Sequence, residues 1–372
     1  MKITQLETFF VKPRWHFLKM HTDEGIVGYG EPIVEGRART VATAVKEMES
    51  YLIGQDPRKI EHHWQVLYRG TFYRGGPILT SAISGVEQAM WDILGKWLGV
   101  PVYQLLGGAV RDRIRVYAHV GGRTPSELVA DAKEKVNQGF TALKTGFAGP
   151  VRIVDTNKYV DLCVERIDAL RGAVPRDVDI AIDLHGRFSP AMAIRIAKAL
   201  EPYGILFLEE PCLPENVDTM VEVARSTSIP IATGERLFTK WGFREVLEKQ
   251  AARILQPDLC HCGGILEAKK IAAMAEVYYA AVAPHNPLGP ISLAAGIQLD
   301  ACIPNFLCQE QVSLGEGYLV EPFELKDGYI DVPTKPGLGI ELDEAAVQDK
   351  LYDGSWDTPR WFFEDDGSFG DW

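Results

Sequence analysis

Residues 179–186 read D-I-A-I-D-L-H-G, residues 205–211 read I-L-F-L-E-E-P, and residues 229–236 read I-P-I-A-T-G-E-R. Each is a short apolar run that closes on an acid: Asp183, Glu209 and Glu235. The three acids are evenly spaced along the chain. A strand, a helix and two turns consume about that much chain in a βα-repeat barrel, where roughly 250 residues make eight units. The spacing therefore puts three carboxylates at one end of three neighbouring parallel strands. Like charges so placed raise one another's pKa unless a cation holds them. Oxygen-only ligation suits a hard divalent ion, and Mg²⁺ typically takes a few carboxylates plus water or substrate oxygens.

The pattern extends in both directions. R-V-Y-A-H-V (115–120) and T-A-L-K-T (141–145) read as the first two strands, joined by a helix over 124–137. A helix follows the third strand over 189–200, with Pro190 in its first turn. Beyond Glu235, the runs A-A-R-I-L-Q-P, A-A-V-A-P-H and N-F-L-C-Q-E supply strands six to eight. They bring Asp258, His285 and Glu310, which continue nearly the same interval. An acid after a strand often caps a helix, and a single histidine is commonly structural. Six reactive side chains at near-constant spacing point instead to one site at the strand C-termini.

The flanks differ in character. Residues 1–112 alternate as strands and then run at helical spacing, which predicts an α+β capping domain ahead of a barrel over 113–312. The turn-rich segment 313–372 is expected to pack back on the capping domain. The loop around Lys12, Arg14, Trp15 and His16 reads equally as a cover over a site, with Arg14 and Trp15 as candidate substrate contacts, and as a plain strand connection. R-G-T-F-Y-R-G-G-P (69–77) has no phosphate-loop spacing and reads as a surface loop. His62-His63-Trp64 reads as a solvated helix face, and Cys260-His261-Cys262 lacks zinc-site spacing. His119 closes the first strand, where a place in the site competes with a structural one.

Composition sets the outer bounds. At 372 residues, 46% apolar and 24% charged, the chain has the make-up of a globular protein with more than one domain. A net charge of −12 argues against nucleic acid or an anionic membrane surface as the main partner. The six cysteines are scattered, and M-K-I-T-Q-L-E-T-F-F lacks the apolar core of a signal peptide. The expected setting is the reducing cytoplasm, and the charge does not argue against a small acidic substrate, since a local metal can reverse the field.

The motifs D-I-A-I-D-L-H-G-R, L-F-L-E-E-P, A-T-G-E-R, I-L-Q-P-D and A-P-H-N-P-L-G-P resemble the mandelate racemase subgroup of the enolase superfamily, and within it the D-galactonate dehydratases. P-R-W, G-E-P-I-V-E-G-R-A-R-T, F-Y-R-G-G-P-I-L and T-K-P-G-L-G extend the likeness over nearly the whole chain. The resemblance implies an α+β cap on a modified (β/α)₇β TIM barrel and a homo-oligomer. It implies Asp183, Glu209 and Glu235 as Mg²⁺ ligands, and Asp258 and His285 as a dyad with His285 the base. By the same likeness His185 is the acid and Glu310 stabilises the intermediate, for which Glu310 needs a raised pKa to donate a hydrogen bond. The implied reaction removes the proton beside a sugar-acid carboxylate and then the 3-hydroxyl.

Racemases of the subgroup carry K-x-K on strand two, whereas this chain has Lys144-Thr145-Gly146. The second base is missing, so elimination is favoured over proton shuttling. Lys144 is left as a contact for the substrate carboxylate or the ligand network, against a structural salt bridge. The D-galactonate dehydratases have Asn where Gly146 stands, a departure that bears on which distal hydroxyls are read. Other aldonates such as D-gluconate, a non-catalytic sugar-acid-binding barrel, and a metal hydrolase with histidine ligands are the competing readings.

Overall fold

The computed structural model describes residues 1–372. β1 (Ile3–Val11), β2 (Trp15–Thr22) and β3 (Val27–Gly30) form an antiparallel sheet. α1 (Ala38–Leu52), α2 (Ile60–Arg69), α3 (Gly76–Leu98) and the short α4 (Val102–Leu105) follow. α3 is buried on nearly all sides because it lies between that sheet and the rest of the molecule. β3 rests directly on its backbone. A Cβ at Gly30 would stand 1.9 Å from the Gly85 carbonyl oxygen, so only glycine allows this approach.

Eight parallel strands and seven helices then alternate. The strands are β4 (Arg113–His119), β5 (Ala142–Gly146), β6 (Asp179–Asp183), β7 (Leu208–Glu209), β8 (Ile231–Thr233), β9 (Ile254–Leu255), β10 (Ala281–Val282) and β11 (Gln309–Glu310). The helices between them are α5 (Pro125–Asn137), α6 (Asn157–Ala173), α7 (Pro190–Leu200), α8 (Val217–Ser226), α9 (Thr239–Glu248), α10 (Ile265–Val277) and α11 (Pro290–Cys302). The sheet runs from β4 to β10 in chain order, and β11 pairs with β4. A parallel bridge from Val282 to Phe306 closes the ring, giving the (β/α)₇β barrel. Thr124 and Glu127 form a reciprocal capping box that starts α5. Tyr117, Phe207, Ile254 and Cys308 fill the barrel interior below the strand ends.

The two layers meet through buried carboxylates. Glu87 of α3 accepts the N–H groups of Ile265 and Leu266 at 2.8 and 2.9 Å, in the first turn of α10. Glu31, just past β3, accepts those of Gly289 and Ser292 at 2.7 and 2.9 Å, at the start of α11. Each satisfies otherwise unpaired helix donors at the positive end of the helix dipole.

The tail touches both layers. Residue pairs Ile330–Ile114 and Val11–Leu351 tie it to β4 and to the first sheet. After β12 (Leu325–Lys326), β13 (Tyr329–Asp331) and α12 (Glu344–Gln348) it crosses to the barrel mouth. There Arg152 pairs with Asp365 and Asp366 at 2.6 and 2.8 Å, beside the hairpin of β14 (Trp361–Phe362) and β15 (Phe369–Gly370). His63 and Trp64 are buried rather than solvated: His63 bonds Tyr51 and the Asp56 carbonyl, and Trp64 donates to Gly263. No helix is long and apolar enough to cross a membrane.

Candidate active site

Parallel register places the acids side by side. Gly146 pairs with Asp183 and Asp183 with Glu209 across β5, β6 and β7. Glu235 follows shortly after the end of β8. One carboxylate oxygen from each of Asp183, Glu209 and Glu235 lies within 4.8 Å of the others. One oxygen of Glu209 and one of Glu235 are buried without any hydrogen-bond partner. Burial and the neighbouring acids hold Glu209 well above the usual carboxylate range, although Lys144 opposes this. Unsatisfied buried anions of this kind are costly unless a cation meets them, so the three residues fit a hard divalent ion.

Lys144 ends inside this cluster. Its Nζ is 2.6 Å from Glu209, 2.7 Å from Glu310 and 3.6 Å from Asp183. Burial alone would lower its pKa, but Glu209 and Glu310 hold it well above the ordinary value. It is therefore a charged member of the ligand network.

The turn after β6 is bent for a purpose. His185 has φ 56° and Gly186 φ 67°, while the His185 N–H donates to Asp183 Oδ1 at 2.7 Å. A left-handed histidine costs about 1–3 kcal/mol. Here the bend fixes one Asp183 oxygen and turns the imidazole over the barrel mouth.

On the other side His285 Nδ1 donates to Asp258 Oδ2 at 2.8 Å. Asp258 Oδ1 accepts the Cys260 N–H at 2.7 Å, so the carboxylate is itself held. That leaves His285 Nε2 toward the cavity, 3.5 Å from Glu235 and 3.9 Å from Glu310. Burial lowers the His285 pKa, but Glu235, Glu310 and Asp258 more than offset it and hold it well above the usual value. Much of that push comes from Glu235, whose charge a bound cation would offset.

Donation from Glu310 to an intermediate would require a raised pKa, and here both of its oxygens already accept: Oε1 from His119 at 2.6 Å and Lys144 at 2.7 Å, Oε2 from the Asn286 N–H at 2.7 Å. Burial raises its pKa, but Lys144, His285 and His119 outweigh that and hold it well below the usual range. In this arrangement Glu310 accepts from its neighbours and positions them.

A cavity of about 470 Å³ lies over these residues, lined among others by Arg14, His119, Lys144, Asp183, His185, Glu235, His285 and Glu310. Arg14 reaches it from the first sheet, paired with Glu35 at 2.7 Å and stacked over Trp356 at 4.9 Å. Trp15 does not reach it. It is 3% exposed and packs against Phe17 and Tyr318 in the core, where both faces of this part of β2 are buried. Trp372 does line the cavity, its ring edge-on to His185 at 4.9 Å between centroids. A larger groove of about 640 Å³ sits beside α8 and the start of β8, away from all of these groups.

The fold and the site both have known counterparts. The family described as "Enolase C-terminal domain-like" matches residues 127–346, and "Mandelate racemase / muconate lactonizing enzyme, N-terminal domain" matches residues 8–107. The D-galactonate dehydratase of Ralstonia pickettii is 49% identical over 384 residues, covering all of both chains. That of Pectobacterium atrosepticum is 48% identical over 383 residues, again covering both completely. Among solved structures, a mandelate racemase/muconate lactonizing enzyme from Jannaschia sp. CCS1 superposes with TM-score 0.90 at 36% identity, covering 95% of this chain and 98% of that one. A member of the enolase superfamily from Salmonella Typhimurium gives TM-score 0.88 at 34% identity, covering 94% and 98%.

Proposed function

Because the chain belongs to the mandelate racemase and muconate lactonizing enzyme family of the enolase superfamily, we propose that it is a Mg²⁺-dependent sugar-acid dehydratase. Its substrate in this reading is D-galactonate, converted to 2-dehydro-3-deoxy-D-galactonate and water. The observation that carries the proposal is the meeting of Asp183, Glu209 and Glu235 with an Asp258–His285 pair and an opposing His185 around one cavity. Full-length relatives named D-galactonate dehydratase support the choice of acid.

Asp183, Glu209 and Glu235 would hold the ion. When bound, Mg²⁺ acts as a Lewis acid that stabilises the charge developing at the substrate carboxylate. His285 removes the C2 proton through Nε2, while Asp258 fixes the tautomer by accepting from Nδ1. His185 gives a proton to the departing 3-hydroxyl, so water and not hydroxide leaves. Lys144 is shared between Glu209 and Glu310 and partly offsets their charge beside the metal ligands. Glu310 holds Lys144, His119 and the Asn286 backbone in register. Arg14 closes the cavity from the cap side.

Dehydration of another aldonate, such as D-gluconate, is the second reading. Gly146 favours it, since no side chain projects from that position to read a distal hydroxyl. The test is to assay the purified protein with Mg²⁺ against aldonates and aldarates, following 2-keto acid formation. The outcome expected is turnover of D-galactonate above the others, lost on chelation and restored by Mg²⁺. Full turnover after rigorous chelation, or none on any aldonate, would reject the proposal.

A further inference from the structure

Dehydration of a sugar acid needs three proton transfers. One leaves C2, one reaches the departing hydroxyl, and one must arrive at C3 when the resulting enol becomes the keto acid. His285 and His185 account for the first two on the dehydratase reading, on which this inference rests. We infer that His119 is a further catalytic residue, delivering the C3 proton from Nδ1 on the flank that the missing second lysine leaves open.

That flank is a chamber of about 210 Å³ bounded by His119, Gly146, His185 and Trp372. It spans the ends of the first three barrel strands, across the mouth from His285 on the seventh. Gly146 adds no side chain to it, so β5 contributes only Lys144 and Thr145, and two imidazoles face it from β4 and the turn after β6.

The pairing of His119 repeats that of His285. Glu310 Oε1 accepts from His119 Nε2 at 2.6 Å, as Asp258 accepts from His285 Nδ1 at 2.8 Å. In each case a buried carboxylate orients the ring and one nitrogen is left for a ligand. The His119 side chain is 42% exposed whereas that of Glu310 is 0%, so it is the imidazole that meets a bound molecule. Lys144 already stands 2.7 Å from the same Glu310 oxygen, so His119 is not the only partner of that carboxylate.

The step balances. The enol C2–C3 π pair takes the proton from the imidazolium Nδ1 and forms the C3–H bond. The C2 hydroxyl then gives its proton to water as the carbonyl forms, and His119 is reprotonated from solvent. His119 and His185 face the same chamber, so the proton enters C3 from the face the hydroxyl left.

The experiment is turnover of D-galactonate in deuterated water with Mg²⁺, reading C3 of the product by proton NMR. The wild type is expected to give a single C3 diastereomer with retention of configuration. His119→Gln keeps an N–H donor for Glu310 but cannot shed a proton, and His119→Asn serves if the first variant does not fold. Both are expected still to eliminate water, yet to release enol that ketonises in water and yields a near-equal mixture at C3. Retained stereospecificity in the variants, or loss of dehydration in both, overturns the inference. A mixture from the wild type overturns it too and leaves the dehydratase reading standing. No turnover of any aldonate by the wild type fails that reading instead.

Discussion

A Cβ placed on Gly146 would stand 2.8 Å from the carbonyl oxygen of Asp183. These residues are register partners on β5 and β6, and Asp183 is one of the three clustered acids. Glycine here therefore does two things: it removes the second base and lets the third strand lie close. Restoring a lysine cannot rebuild a racemase without moving a ligand. Gly146→Lys and Gly146→Ala are each expected to lower kcat/KM by about tenfold to a hundredfold, since small misplacements cost on that scale. The Mg²⁺ concentration for half-maximal activity should rise in parallel. Titrating Mg²⁺ in both variants checks this; an unchanged metal requirement would count against the argument.

Acid and base separate by isotope exchange. Removing His185 takes away the proton for the leaving hydroxyl but leaves the Asp258–His285 pair intact. His185→Asn should stop dehydration while C2 hydrogen exchange with deuterated solvent continues. His285→Asn should lose both, by about 10²-fold or more. If exchange and turnover both survive His285→Asn, the base has been misassigned.

The site was legible along the chain because the barrel converts interval into position. Acids and histidines at near-equal intervals reach the same end of successive strands whatever the intervening helices contain. His119 obeys that rule, one such interval before Lys144, and the spacing alone could have placed it. What interval cannot give is charge state. Glu310 reads as a candidate acid, yet Lys144, His119 and the Asn286 N–H converge on it from three other segments. Trp372 was illegible for a related reason. No local pattern says that a segment after the barrel turns back over His185, and the ion pairs of Arg152 that hold it join segments far apart in the chain. Trp15 opens β2, where Trp15 to Leu18 are all buried, so no local pattern there separates a cavity-facing side chain from a core one.

The carboxylates between the layers make stability depend on pH. Burial pushes Glu31 up from 4.5 to about 8, against the pull of the Ser292 and Gly289 N–H groups. Burial likewise pushes Glu87 to about 7. A folded pKa above the unfolded one means the folded state binds more protons between the two values. Stability therefore falls as pH rises from about 4.5 to about 8. Glu31→Gln cannot ionise, so its loss of melting temperature from pH 6 to pH 9 should be smaller than that of the wild type. It also leaves one helix N–H facing an amide N–H₂, a buried mismatch worth about 1–3 kcal/mol, so its melting temperature at pH 6 should be lower. Thermal scans at the two pH values test both signs, and an equal or larger loss in the variant would refute the assignment.

Trp372 supplies a wall rather than a reacting group. Its ring stands edge-on to His185 and bounds both the main cavity and the chamber beside Gly146. The hairpin before it is fixed by Arg152 to Asp365 and Asp366, and Arg187 lies over Trp361 at 5.0 Å. An aromatic pair contributes about 0.5–1.5 kcal/mol beyond area burial, so losing the wall should raise KM about threefold to tenfold. Because the ring also sets the orientation of His185, kcat should fall, whereas C2 exchange, which depends on the far side of the mouth, should be nearly unchanged at saturating substrate. Trp372→Phe keeps the edge-on contact and should recover most of the loss that Trp372→Ala suffers. Steady-state kinetics with exchange measured in parallel decides it: an unchanged KM in Trp372→Ala means that the ring bounds the cavity without touching the substrate.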